Sequence, residues 1–260
     1  MSREDYWNKD YVKYWMDRVS EANTSDINSS SMVKNDGLTS ADMTYISYIK
    51  SLNIKKDDDV VEIAVGFGRS LPLLASLANR VVALDISKEM IEMAKTKHNY
   101  ENVEFHVTAS ENTPLSNNSF DVAICFAAFD AMYQTEALIE INRICKIGAR
   151  VLLTGKNDSF LPNDDQAMNA EIGARSKGHP NFFTDVTRLK KMLGDFGFTL
   201  EKEFYYPKRG DFGSKNYLTE IPEFFYEWTF FLKKSGQVSI DSNTIISSDS
   251  SKTIKMKHEG

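Results

Sequence analysis

The stretch VVEIAVGFGRS, residues 60–70, reads as a buried strand that runs into a glycine-rich turn and then into a helix. Gly66 and Gly68 permit backbone angles and a closeness of approach that a Cβ denies. The helix behind them points free N–H groups at whatever sits in the turn, so a ligand carrying a carboxylate or phosphate suits it. The dinucleotide fingerprint G-x-G-x-x-G needs a glycine at position 71, where this chain has Leu71, and that weakens a nicotinamide or flavin reading. The bland alternative is a tight turn that holds nothing.

Working outward, the next apolar run ends in VVALDIS and places Asp85 at the carboxyl edge of a sheet, where open α/β folds bind ligands. A carboxylate there can accept both hydroxyls of a ribose, and its distance from the glycine turn suits that use; the alternative is a helix N-cap. From Asp58 onward, short apolar runs alternate with helical stretches, the pattern of a parallel sheet built from βαβ units. The spacing predicts strands near 59–64, 80–85, 103–108, 120–126, 149–155, 198–205 and 224–232. Helices are expected near 69–78, 87–97, 135–146, 165–176 and 185–195, with Thr184 as cap of the last. The segment between Pro207 and Pro222 is too short and polar for a crossover helix, so the seventh strand is expected to return antiparallel beside the sixth.

Ahead of the sheet, Tyr6, Trp7, Tyr11, Tyr14, Trp15 and Val19 recur at helical spacing, and Ser2 with Asp5 makes a capping-box-like start. A polar loop over 22–38 follows, then a second helix marked by Tyr45, Ile46, Ile49 and Leu52, opened by Thr39 or Ser40. Residues 1–38 thus form a helical lead-in on the substrate side, 39–234 the main domain with an insert at about 157–182, and 235–260 a Ser-rich tail expected to lack fixed structure.

The 260 residues are 42% hydrophobic and 26% charged with 13 Gly and 6 Pro, which describes an ordinary globular chain able to bury a core. Lys and Arg number 31 against 37 Asp and Glu, a net charge of -6, so no general field attracts phosphate backbones and nucleic acid is not the expected partner. Cys125 and Cys145 both sit in apolar periodic segments and read as buried thiols of a reducing compartment. No apolar run approaches the ~20 residues that span a bilayer, and the charged opening Met-Ser-Arg-Glu-Asp is unlike a signal peptide, so a cytoplasmic protein without a membrane partner is expected.

Taken with VEFHVTASENTPLSNNSFDVAICF (103–126) and FFTDVTRLKKMLGDFGF (182–198), the glycine turn and the acidic end of strand two resemble the class I S-adenosylmethionine-dependent methyltransferases over roughly residues 40–232. The resemblance implies a Rossmann-like α/β fold with a seven-stranded, mostly parallel sheet, an antiparallel last strand, helices on both faces and a helical N-terminal cap. It also implies S-adenosylmethionine as cofactor, with S-adenosylhomocysteine as its product. By position, Glu62, Ala64, Gly66 and Gly68, with Arg69 on the same loop, fall to the methionine moiety; Asp85 falls to the ribose and Ile86 flanks the adenine. Ala64 replaces the first family glycine, a mild change where that backbone angle is ordinary. Ala109 stands where relatives often have an Asp toward adenine, leaving Ser110, Glu111 or a backbone carbonyl to substitute.

After strand four comes FAAFDAMY, residues 126–133, and not the Asn-Pro-Pro-Tyr type of tetrapeptide that resembles DNA amine methylation. Phe126 then begins the wall facing the reactive methyl, with Asp130 and Tyr133 close behind; for Asp130, a helix cap or a surface acid is the alternative. A hydroxyl acceptor gains from a general base, worth ~10²–10⁴-fold. His179, on a loop ahead of the last helix, is the preferred base, and Asp130 the other candidate. His98, His106 and His258 are less suited. No set of residues has metal-ligand spacing, so metal independence is expected. Tyr11, Tyr14, Trp15, Phe182, Phe183, Tyr206 and Tyr217 are candidates to stack on the acceptor, or are core residues; Lys208, Arg209 and Arg18 are candidates to hold its phosphate or carboxylate. The activity expected is methyl transfer to a small molecule, chiefly onto a hydroxyl oxygen of a sugar, a nucleotide-linked compound or a secondary metabolite, by a monomer or homodimer. The competing readings are a cofactor-binding sensor or scaffold without turnover and a nicotinamide-dependent oxidoreductase.

Overall fold

The computed structural model describes residues 3–14, 16, 40–160, 163–241 and 243–249. Seven strands form one sheet in the order β3-β2-β1-β4-β5-β8-β7: β1 (Asp59–Ile63), β2 (Arg80–Asp85), β3 (Val103–Val107), β4 (Phe120–Cys125), β5 (Cys145–Lys156), β7 (Phe198–Tyr206) and β8 (Glu227–Lys234). The pairs β1 with β2, β1 with β4, β2 with β3 and β4 with β5 are parallel. β8 lies antiparallel between β5 and β7, so the expected antiparallel return occupies an inner position and not the edge.

Burial on both faces explains the continuous apolar runs. Period two puts Val61, Ile63, Val82 and Leu84 on one face, under Leu138 and Ile141 of α4 (Gln134–Ile144) and Leu189 of α6 (Val186–Met192). Val60, Val81, Ala83 and Ile124 face the other way, under Ile49 of α1 (Ser40–Ser51), Leu74 of α2 (Leu71–Leu77) and Ile91 of α3 (Lys88–Lys97). The insert contributes α5 (Asp165–Ser176). The chain enters β5 directly from α4, and the buried Lys234 ammonium at the end of β8 donates to the Asn142 and Cys145 carbonyls at 2.7 and 2.9 Å, placing a cation on the last turn of α4.

Three local details differ from the sequence-based expectation. The cap of α6 is Asp185, which accepts from the Arg188 N–H at 2.8 Å; Thr184 instead ends a short strand β6 (Phe182–Thr184) and donates to Gln134 Oε1 at 3.0 Å. Of the tail 235–260 expected to lack structure, the described part up to 249 returns along the molecule, while 250–260 lie outside the described residues: the Ser239 N–H donates to the Asp195 carbonyl, Ile246 is buried, and β9 (Ser247–Asp249) pairs antiparallel with β6. In the lead-in, Arg3–Asp5 is helical and Tyr6–Asp10 forms a π-turn that continues helically to Tyr14. Ser2, Trp15, Arg18, Val19, the loop over 22–38 and His258 lie outside the described residues.

Candidate active site

A cavity of about 340 Å³ opens at the carboxyl ends of β1, β2, β4 and β5, beneath the lead helix. On one side lie Ala64, Gly66 and Arg69 from the turn after β1, Asp85 and Ile86 from the end of β2, and Thr108 and Ser110 from the loop after β3. On the other lie Phe126, Ala127 and Asp130 after β4, Lys156 at the end of β5, His179 and Arg209. Arg3, Trp7 and Tyr11 of the lead helix complete the wall.

The glycine turn and Asp85 are built as one unit. Asp85 Oδ2 accepts from the Gly66 N–H and Oδ1 from the Ser87 N–H, each at 2.9 Å. Ser87, not Asp85, caps α3, accepting from the Met90 N–H at 3.2 Å, so the carboxylate is not spent on a helix end. Burial pushes the Asp85 carboxyl up to about 6 against the pull of those backbone donors. Gly66, at φ +53, has open space where a Cβ would stand; at Gly68, φ +73, a Cβ would lie 2.6 Å from Leu71 Cδ1 and 2.8 Å from His98 Cδ2. Gly68 is thus a packing requirement behind the turn and is not part of the cavity wall. Ala64 has φ +57, so the angle at this position is left-handed and not ordinary.

Glu62 also stands off the main cavity. It borders an adjoining space of about 60 Å³ with Asp42, Tyr45, Arg69 and Ser70. Its Oε1 accepts from the Ser70 hydroxyl, while buried Oε2 has no hydrogen-bond partner among the described residues. Burial pushes this carboxyl up to about 7, with Ser70 and Arg69 pulling it down. Arg69, which borders both spaces, is held by Asp42 of α1 at 2.7 Å.

Glu111 is outside the lining as well. Both its oxygens take the Arg3 guanidinium, and Oε1 accepts the Tyr133 N–H at 2.8 Å. The lead helix is tied down at two further points. The Tyr6 hydroxyl meets His179 Nδ1 at 2.9 Å, and Asn8 Oδ1 accepts the Ser87 hydroxyl at 3.3 Å and the Glu89 N–H, a free donor of the first turn of α3, at 3.1 Å.

The second wall carries a buried ionic network. Lys156 Nζ lies 3.0 Å from Asp130 Oδ2 and 3.0 Å from Glu171 Oε1 of α5. Tyr226 donates to Glu171 Oε1, Asn181 to Glu171 Oε2 at 2.9 Å, and Arg209 Nη1 to the Tyr226 hydroxyl at 2.9 Å. Burial opposes the Lys156 charge, yet Asp130 and Glu171 hold its pKa well above the ordinary value. Asp130 is neither a helix cap nor a surface acid: it is buried in a 3₁₀ turn, Phe129–Ala131, and paired. Burial, aided by the Lys156 charge, lowers His179 to about 4, so the imidazole is neutral at pH 7.

Of the expected stacking residues, Tyr11 borders the cavity. Tyr14 lies under the Lys177 ammonium at 4.2 Å, Phe182 packs on Tyr133, Phe183 and Tyr206 are core, and exposed Tyr217 packs on Phe204. Sequence reasoning did not single out Arg3 or Lys156 for the site. For Lys156 a signal existed: a lysine at the carboxyl end of the apolar run VLLTG stands where open sheets bind ligands.

Residues 61–153 match the methyltransferase domain family. Similar curated proteins include the uncharacterized methyltransferase YcgJ of Bacillus subtilis, 28% identical over 138 residues that make up 50% of this chain and 53% of that one. The uncharacterized protein MJ1252 of Methanocaldococcus jannaschii is 39% identical over 105 residues, 40% and 39% of the two chains. A demethylmenaquinone methyltransferase of Paenarthrobacter aurescens is 27% identical over 115 residues, 44% and 45%. This chain therefore spans about half the length, or less, of these relatives. The YcgJ crystal structure superposes with a TM-score of 0.55 at 18% identity, covering 75% of this chain and 98% of that one, which shows a common fold. The domain match over residues 61–153, the relatives and the sheet order together make the chain similar to the class I S-adenosylmethionine-dependent methyltransferases.

Proposed function

We propose that the protein transfers a methyl group to a small polar acceptor, chiefly onto a hydroxyl oxygen. The observation that carries this reading is the two-sided cavity: a glycine turn locked to Asp85 on one wall and the Asp130–Lys156 ion pair beside neutral His179 on the other. The first wall suits the cofactor. Each Asp85 oxygen spends one lone pair on a backbone N–H and keeps capacity for a ribose hydroxyl, and Gly66 leaves room for close approach. Asp85 would hold the ribose, Ile86 and Ser110 the adenine side, and Arg69 with the Ala64–Gly66 backbone the methionine end. When bound, S-adenosylmethionine supplies an electrophilic methyl on a sulfonium.

The chain's own contribution is alignment, which can supply ~7–11 kcal/mol of the barrier. Phe126, packed on Tyr45 at a ring separation of 4.0 Å, walls the space between the two sides. The neutral imidazole of His179 would take the proton of the acceptor hydroxyl, or Asp130, fixed by Lys156, would accept its hydrogen bond and take the proton in its place. The demethylmenaquinone methyltransferase among the relatives makes a quinone the rival acceptor; the ionic second wall favours a polar acceptor over an apolar one.

The test has two parts. Calorimetry with S-adenosylhomocysteine should give saturable binding, and methyl-tritiated donor should label metabolites of a cell extract. Binding without label transfer across broad extracts would establish a sensor or scaffold instead; NAD binding with no S-adenosylhomocysteine binding would establish an oxidoreductase.

A further inference from the structure

Arg3, Arg69, Lys156 and Arg209 all line the cavity, and the first three are already neutralised. Arg3 carries Glu111, Arg69 carries Asp42, and Lys156 is shared by Asp130 and Glu171. Arg209 is different. Among the described residues no carboxylate oxygen lies within 4.0 Å of its guanidinium; Glu227 and Glu171 act on it only at longer range. Its hydrogen bond through Nη1 goes to a neutral hydroxyl, Tyr226, over whose ring the guanidinium stands at 5.9 Å.

This arginine is also held in place. Its backbone N–H donates to Asp164 Oδ2, the α5 cap residue, at 2.8 Å, and Gly210 follows at φ +93. Tyr226 is fully buried and donates onward to Glu171, which shares Lys156 with Asp130. The cation with spare donors is therefore linked by a continuous chain of polar contacts to the acid that would face the acceptor hydroxyl. A planar guanidinium fork with free N–H groups matches carboxylate and phosphate oxygens two at a time.

We infer that the acceptor is an acid, and that Arg209 binds its carboxylate or phosphate oxygens and so sets the reactive hydroxyl against Asp130. The inference rests on the methyltransferase reading above, and Arg209 acts as a specificity residue.

The experiment separates a metabolite extract on an anion exchanger at pH 7 and offers each fraction, with methyl-tritiated S-adenosylmethionine, to wild-type protein. Label should enter the retained fraction. Arg209→Gln should raise KM for that fraction at least tenfold, with kcat changed less and S-adenosylhomocysteine affinity unchanged. Arg209→Lys, which keeps the charge and loses the fork, should fall between and guards against simple misfolding. Treating the retained fraction with alkaline phosphatase distinguishes the two anions: acceptor capacity is lost if the group is a phosphate and kept if it is a carboxylate. Label confined to the unretained fraction would overturn the inference and leave the methyltransferase reading standing, as would an unchanged KM in Arg209→Gln. Loss of S-adenosylhomocysteine affinity in both variants would assign Arg209 to the cofactor and overturn it too. No label in any fraction would remove the methyltransferase reading itself.

Discussion

Replacing Ala64 with glycine should make this protein more stable, although it removes a methyl group and loosens the unfolded chain. Ala64 follows β1 with φ +57, and the turn it opens is fixed by the Val65 N–H on the Leu84 carbonyl at 2.9 Å and the Gly68 N–H on the Val65 carbonyl at 3.0 Å. Those bonds hold the residue left-handed. A left-handed residue with a Cβ costs ~1–2 kcal/mol, and the extra freedom glycine gives the unfolded chain takes back ~0.4–1 kcal/mol. The net gain is ~0.5–1 kcal/mol, or a rise in Tm of about 1–4 °C at ~2–4 °C per kcal/mol for a chain of this size. Thermal unfolding followed by circular dichroism, without ligand, measures it. Ala64→Val, whose branched Cβ tolerates positive φ least, is the control and should melt below wild type. An Ala64→Gly protein that melts at or below wild type would refute the claim that this position stores strain.

Three further outcomes follow from the site. Gly68→Ala puts a Cβ 2.6 Å from Leu71 Cδ1 at φ +73 and should cost ~2–4 kcal/mol, strain and overpacking together, read by urea unfolding. Asp85→Asn should weaken S-adenosylhomocysteine binding by ~1–3 kcal/mol, roughly 5- to 150-fold by calorimetry. Wild-type affinity should fall as pH drops through about 6, where Asp85 takes its proton. The sign for folding is opposite: a carboxyl raised from its ordinary ~3.9 binds its proton in the fold first, so its contribution to ligand-free stability declines as pH rises from about 4 to 6, and Asp85→Asn should lack that slope. Tyr6→Phe removes the hydroxyl that meets His179 Nδ1 and should slow turnover several-fold, with cofactor affinity changed less; equal losses in both would make the contact part of the cofactor side.

The sheet was legible because its strands are buried on both faces, and runs such as VVEIAV and VVALD leave little choice of element. Asp85 was legible because a carboxylate two residues before a serine cap at the end of an apolar run has a clear place in an open sheet. β6 and β9 were not, since three residues carry no periodicity and their pairing joins positions 182–184 to 247–249. The ionic network was hidden for a related reason: Asp130, Lys156, Glu171, Arg209 and Tyr226 sit on five separate segments, and only the fold makes them neighbours. Glu111 reads as a loop acid near adenine in sequence, whereas its real partner, Arg3, lies at the far end of the chain.

The β6–β9 pairing makes the chain's last described stretch a girth strap for the wall that carries His179. It is buckled at Thr135, whose hydroxyl donates to the Thr244 carbonyl, and at Asp185, whose N–H donates to the Ile246 carbonyl at 3.0 Å. His179 stands three residues upstream of the strand it supports. A truncation after β8 would keep every strand of the large sheet and still slacken the histidine's footing, whereas an affinity tag appended beyond residue 249 would spare it.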